Sequence, residues 1–285
     1  MKERALKLIE SVKNDTVLFI GESIQDEYHY VTPLGKSPKE HLIPVRYKEK
    51  EIFQGGVVAA AEHARTLCDK VLVCTSYPAV RKVRYVDQAY FRKVFEVHYD
   101  GEPNEMECPD MQADCIVVTD FGHGRIGGKL IEQLCKKPFL AVAAQTNSSN
   151  IGFNLITRYP RADYIVIDEP EARLAAADRD GHIEDVVHRL AHGRCERFVV
   201  THGKNGAYGY DQGKFFHQPA LSEHPLDTMG AGDAFFAVTA PMARHGSMEE
   251  LLYIGCAAGA LKTQIIGHRK PVTKEALIDF IKANA

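Results

Sequence analysis

Asp227-Thr228-Met229-Gly230-Ala231-Gly232-Asp233-Ala234-Phe235 is the most informative stretch of the chain. Gly-Ala-Gly removes side-chain bulk where a backbone must come close to a ligand. The residues that follow, DAFFAVTAPMARHG, have helical spacing with one Pro interruption, which puts the glycines at the opening of a helix. A helix start leaves N–H groups unpaired and carries partial positive charge, a ready cradle for phosphate. An aspartate among those N–H groups would repel a bound phosphate unless it acts on something beside it, such as a hydroxyl proton. A carboxylate between an anion cradle and an alcohol is the equipment for phosphoryl transfer to that alcohol. The alternative is a small-residue turn with Asp233 as an ordinary first-turn carboxylate.

Working outward, short β-rich runs occur at Thr16–Ile20, Lys70–Cys74, Cys115–Thr119, Phe139–Ala143, Tyr164–Ile167 and Phe198–Thr201. Helical spacing fills 56–68, 126–136, 170–177 and 183–192. This alternation predicts an α/β fold, a mostly parallel sheet with helices on both faces. Ligands of such sheets bind outside the carboxyl ends of the strands. The polar residues that follow the runs are Gly21-Glu22 and Asp26, Asp120, Gln145-Thr146-Asn147, Asp168 to Glu171, and His202-Gly203. Two stretches break the alternation, 27–54 and 81–99. Both read as half-exposed strands that form a small second sheet, a lid over the main one; the alternative is ordinary edge hairpins. A hairpin-like YDQGKFFH and three helical segments close the chain.

Composition narrows the function by exclusion. The 285 residues are 45% hydrophobic, and 35 Lys and Arg against 38 Asp and Glu give a net charge of -3. A near-neutral surface has no bulk attraction for nucleic acid or for anionic membrane. No window approaches the ~18 apolar residues of a spanning helix. Seven cysteines without a CxxC pair argue against a disulfide framework and for a reducing cytoplasm.

DTMGAGDAF resembles the DTxGAGDxF signature of the ribokinase-like (PfkB-type) carbohydrate kinases, and the resemblance extends over nearly the whole chain. It implies a ribokinase-like fold, ATP and Mg²⁺ as cofactors and a sugar or sugar phosphate as acceptor. By that resemblance Asp233 is the catalytic base, with Gly230, Ala231 and Gly232 as the anion hole. FIGESIQDEY puts Asp26 on the sugar hydroxyls, and Gln54-Gly55-Gly56 is similar to the family's GG motif, where sugar meets backbone. VVTHGKNGAYGY places Thr201, Gly203 and Gly206 near the nucleotide, together with Thr228. IGCAAGALKTQIIGHRKPVT is similar to the late helix and loop beside the adenine, which implies Cys256 and Gly267. Asp168-Glu169-Pro170-Glu171 stands where the family has NxxE, so Asp168 and Glu171 would hold Mg²⁺ through water; Asp keeps an oxygen for a hard cation.

Within the family, GESIQDEYHYVTPLGKSPKEHLIPV and TDFGHG are most similar to heptose-phosphate kinases, which are often joined to a nucleotidyltransferase. This adds Asp120 as an acceptor-side residue, and fusion or association with a nucleotidyltransferase as an expectation. Separately, Arg84 in a lid strand suits a phosphate on the substrate, and Asn147, in an amide-rich run, suits sugar hydroxyls or loop hydrogen bonding. The chain itself carries no HxGH nucleotidyltransferase motif. The resemblance further implies one kinase domain over 1–285 and a homodimer through the lid. Two departures stand out: Ala59 occupies the place of an Asn that bonds the sugar, and the chain is short between Val80 and Asp114. They favour a competing expectation, a degenerate kinase-fold module that binds a sugar or nucleotide without turnover. A kinase of the same fold for a nucleoside or vitamin differs only in acceptor. His188, His192 and Cys195 have superficial metal-ligand spacing but read as an amphipathic surface helix.

Overall fold

The computed structural model describes residues 1–284 except 103, 108, 109 and 223; Cys108, one of the seven cysteines, therefore lies outside the described residues. The six β-rich runs all form strands. β1 (Thr16–Pro33) lies between β3 (Lys70–Asp87) and β5 (Cys115–Asp120), and β6 (Leu140–Ala144), β7 (Tyr164–Asp168) and β8 (Arg197–Thr201) follow in order, all parallel. The hairpin β9 (Ala207–Asp211) and β10 (Lys214–Gln218) extends the far edge antiparallel.

Successive strand residues face opposite sides of the sheet, and each side builds its own core. Val17, Phe19, Val117, Ala141 and Ala143 pack under α1 (Lys2–Ser11), α2 (Val57–Arg65), α6 (Ala231–Met242), α7 (Met248–Lys262) and α8 (Lys274–Ala283). Leu18, Ile20, Ile116, Val118 and Val142 pack on the other side, under α3 (Gly128–Leu134), α4 (Glu169–Ala176) and α5 (Ile183–Ala191). The fold is the three-layer, mostly parallel α/β arrangement that the alternation predicts.

The lid differs from the sequence expectation. It is not a separate sheet laid over the first: β1 and β3 run on past the main sheet and form its centre. They remain paired from Ile24–Val80 to Val31–Asp87, beyond an irregularity at Glu22/Ile24. β2 (Val45–Gly56) joins β1 antiparallel and β4 (Arg92–Tyr99) joins β3, which gives the order β2-β1-β3-β4. Two extended strands therefore link lid and body, paired on both sides of that irregularity. Between β4 and β5, where the chain is short, no helix or strand forms among the described residues.

The lid is packed shut. Tyr28, Tyr30, Phe53 and Val86 of its inner face form a cluster against Phe91, Met229 and Ile266. The Tyr28 hydroxyl donates to Asp227 (3.2 Å), Lys93 reaches the same carboxylate (3.1 Å), and Arg269 pairs with Glu51 (2.7 Å).

Candidate active site

The glycine stretch opens α6 as the sequence predicts. Gly230 is the N-cap, with φ +72°, a left-handed conformation that suits glycine. A Cβ on Gly232 would meet no atom within 4 Å, so the helix start faces open space. That space is a cleft of about 660 Å³, within the usual range of small-molecule sites. Thr201, Gly203, Gly206, Thr228 and Cys256 all line it, as do Gly230, Ala231, Gly232 and Asp233. Leu221, Ala260 and Cys256 supply apolar wall of the kind that receives a flat base.

Asp233 is half-buried at the start of α6, and the Gln145 amide donates to its carboxylate. Burial raises its pKa, opposed by His268, the Gln145 bond and Lys262. A carboxyl displaced upward, held at an anion-binding helix start, is equipped to accept a proton from an adjacent hydroxyl.

Asp168 and Glu171 line the same cleft as a capping box at the start of α4. Asp168 Oδ1 accepts from Glu171 N, and Glu171 Oε2 accepts from Asp168 N (both 2.8 Å), while Glu171 Oε1 accepts from Thr146 N (2.8 Å). Burial and the Asp168 charge push Glu171 up to about 8, with Asp233 adding to the rise. Asp168 is raised too, by burial and by Glu169. Among the described residues no three His, Cys, Asp or Glu side chains converge as a metal cage. The residues present still fit Mg²⁺ held through water: a buried carboxylate, Glu171, beside an exposed one, Asp168, whose charge a divalent cation would offset.

On the acceptor side, Asp26 projects from the lid half of β1 and is 4% exposed. It pairs with Arg84 of β3, and His268 Nε2 lies 3.5 Å away. Burial pushes its carboxyl up, but His268 and Arg84 outweigh that and hold it below the usual carboxylate range. Arg84 also reaches Glu96 (3.2 Å). Gly55 and Gly56 lie beneath: a Cβ on Gly55 would strike Asp26 Oδ2 at 2.4 Å, and one on Gly56 the Glu22 carbonyl at 2.2 Å. Lys82, 7% exposed, stands in the same charge field, influenced by Arg84, Asp26 and Glu96.

Three predicted residues are placed elsewhere. Asp120 is buried in an internal network, where it accepts from Tyr159 Oη (2.8 Å), Asn154 (3.0 Å), Gly122 N (3.0 Å) and Arg158 (3.2 Å). Asn147 is absorbed in its own loop, donating to the Phe121 carbonyl (2.6 Å) and accepting from Ser149. Gly267 lies under the lid, outside the cleft. Its N–H donates to Asp227 (2.9 Å), and a Cβ there would meet the Phe53 ring at 2.9 Å. Asn150 and Asn154 likewise brace the turn after β5. Ala59, the departure from the family's Asn, is a buried methyl in the first turn of α2. His188 and His192 stack on each other along α5.

The sequence reading missed one residue of the site, His268, and named Glu22 only as a strand-end polar residue. His268 bridges the halves of the site: besides approaching Asp26, its Cε1 would stand 3.2 Å from a Cβ on Gly230. Its Nδ1 is buried and finds no hydrogen-bond partner among the described residues. Nothing in GHRKP marks that position as a meeting point. Glu22, fully buried, accepts from the N–H groups of Phe121 (2.9 Å) and His123 (3.2 Å); burial and Asp120 push it up to about 7.

A glycine-opened helix start with an aspartate, at a cleft along the carboxyl ends of a mostly parallel sheet, fits a ribokinase-like fold. Solved structures agree on that fold. A ribokinase from Thermotoga maritima superposes with a TM-score of 0.70 at 17% identity, covering 94% of this chain and 99% of the other. A ribokinase from Arabidopsis thaliana complexed with ribose and ATP gives 0.69 at 16% identity, with 94% and 99% covered. Residues 144–275 match the pfkB family of carbohydrate kinases. Among curated proteins, the bifunctional protein HldE of Rhodopseudomonas palustris is 25% identical over 290 residues, covering 84% of this chain. The chain spans 58% of that relative's length.

Proposed function

We propose that residues 1–285 work as one ATP- and Mg²⁺-dependent kinase domain that phosphorylates a hydroxyl of a sugar or sugar phosphate. The observation that carries the reading is the position of Asp233, at the helix start that lines the nucleotide cleft and within the charge field of His268 and Asp26 on the acceptor side. Asp233 takes the acceptor hydroxyl's proton while the backbone of Gly230 to Gly232 stabilises charge on the transferred group. Thr201, Gly203, Gly206, Thr228 and Cys256 hold the nucleotide. Asp168 and Glu171 position Mg²⁺ through water; when bound, the ion offsets charge on the phosphate oxygens. Asp26, Gly55, Gly56 and Arg84 orient the acceptor.

A sugar phosphate suits the site better than a neutral sugar, because the buried Lys82 and the half-buried Arg84 put two cations beside Asp26. With the resemblance of residues 21–45 to heptose-phosphate kinases, this favours a heptose phosphate and a step toward a nucleotide-activated sugar. Association with a nucleotidyltransferase follows from the same reading. The outer lid face exposes Tyr47, Ile52, Phe95 and Tyr99, which suits a homodimer. Six free thiols among the described residues suit the cytoplasm.

One observation favours the second reading, a binding module without turnover: the buried Ala59 methyl offers an acceptor no hydrogen bond. A panel of sugars and sugar phosphates, assayed for ADP release with product mass spectrometry and parallel ATP-binding calorimetry, separates the two. The kinase reading expects a phosphorylated product from a sugar phosphate. ATP binding with no product from any acceptor would favour the module.

A further inference from the structure

Lys262, in the last turn of α7, is fully buried. Its Nζ donates to the carbonyls of Met229 (2.8 Å), Gly267 (2.8 Å) and Ile265 (3.3 Å). Three acceptors around one nitrogen require three N–H donors, which only the ammonium supplies. The nitrogen lies directly behind the anion hole: a Cβ on Gly230 would stand 3.3 Å from Lys262 Cε and 3.7 Å from Nζ. The carboxylates that act on its charge are Asp227 and Asp233, and the cation opposing them is Lys93.

Burying an ammonium is costly unless its hydrogens are all met. At a packing position an apolar side chain would fill the same space without that cost. The carbonyls explain the choice. Met229 belongs to the turn that opens α6, while Ile265 and Gly267 belong to the loop that carries His268. Main-chain carbonyls converging near a carboxylate form the donor set of a monovalent cation. Here that cation is part of the chain.

We propose that Lys262 is a built-in monovalent cation, a positioning residue whose ammonium ties together the two loops behind the anion hole and makes turnover independent of added potassium. This rests on the kinase reading for its effect on rate, though not for its effect on structure. The charge stands behind the helix start, adds to its attraction for the transferred phosphoryl group, and fixes the Gly230 turn against His268.

The test compares wild type, Lys262→Ala and Lys262→Met in potassium, sodium and tetramethylammonium chloride at constant ionic strength. Both turnover and melting temperature are read. Wild type should be indifferent to the salt in both. Lys262→Ala leaves a carbonyl-lined space: it should lose about 10²-fold in turnover in tetramethylammonium and recover at least about tenfold in potassium, with a rise in melting temperature. Lys262→Met fills the space without charge and should lose turnover without rescue. A wild type whose rate rises several-fold with potassium overturns the proposal, whether or not the variants fold. So does a Lys262→Met enzyme with wild-type kcat, or a folded Lys262→Ala protein indifferent to potassium. If no acceptor is phosphorylated, the kinase reading fails, but potassium-specific thermal rescue of Lys262→Ala still supports the cation site and its absence still overturns it.

Discussion

The side of the site proposed to hold nucleotide and the side proposed to hold the acceptor contrast sharply. On the nucleotide side, Thr201, Gly203, Gly206, Thr228 and Cys256 all reach one cavity with Gly230 to Asp233. On the acceptor side, Asp26, Gly55, Gly56 and Arg84 assemble, while Asp120 and Asn147 are spent inside the fold. The difference is one of chemistry. A phosphate cradle is made of backbone N–H groups at a helix start, and a short local motif encodes it completely. An acceptor pocket is made of side chains from distant strands, and its assembly depends on which face each residue takes.

Gly232→Val tests the backbone side hardest. The site leaves room for a side chain, so melting temperature should hold while turnover falls about 10²- to 10³-fold as the methyls fill the phosphate's place. A large loss of stability instead would mean that the glycine serves folding. On the side-chain half, Arg84→Lys should raise the acceptor KM about tenfold, since lysine cannot fork to Asp26 and Glu96 together. The KM for ATP should stay put; a matching rise in it would dissolve the contrast.

Asp120→Asn should lower stability by about 1–3 kcal/mol in denaturant melts, by weakening the bonds from Tyr159 and Arg158. Its acceptor KM should be unchanged, and a selective rise in that KM would return Asp120 to the site. The smallest effect concerns pH. Glu171 has its folded-state pKa raised from 4.5 to about 8. The stability tied to its protonated form is present below about pH 4.5 and is lost as pH rises through about 8. Wild type should therefore lose melting temperature across that window more steeply than Glu171→Gln, and Mg²⁺ with ATP should reduce the difference. Parallel curves would remove Glu171 from the acidic wall.

Much of this was legible in the sequence. All six runs became strands, and the helix at Ala231 opened on the expected glycine. Asp120 shows why the rest was not. It ends its strand, as the strand-end rule asks, but shares the face of Ile116 and Val118, under α3 to α5. Gln145 shares the face of Ala141 and Ala143, under α6, and so reaches Asp233. Two-residue alternation, had it been counted to the strand ends, separates these two residues. No such count finds Gly267, whose place under Phe53 depends on the lid being shut. Nor does periodicity show that β1 and β3 carry the main sheet into the lid, because strand pairing leaves no mark on it.

The central claim is that Asp233 moves a proton and does not merely hold a ligand. Titration calorimetry of Asp233→Asn with ATP, Mg²⁺ and the best acceptor, set beside its turnover, tests this most directly. The account predicts affinities close to wild type with turnover reduced about 10²- to 10⁴-fold. Wild-type turnover in that variant, or turnover lost only in proportion to lost binding, would contradict it.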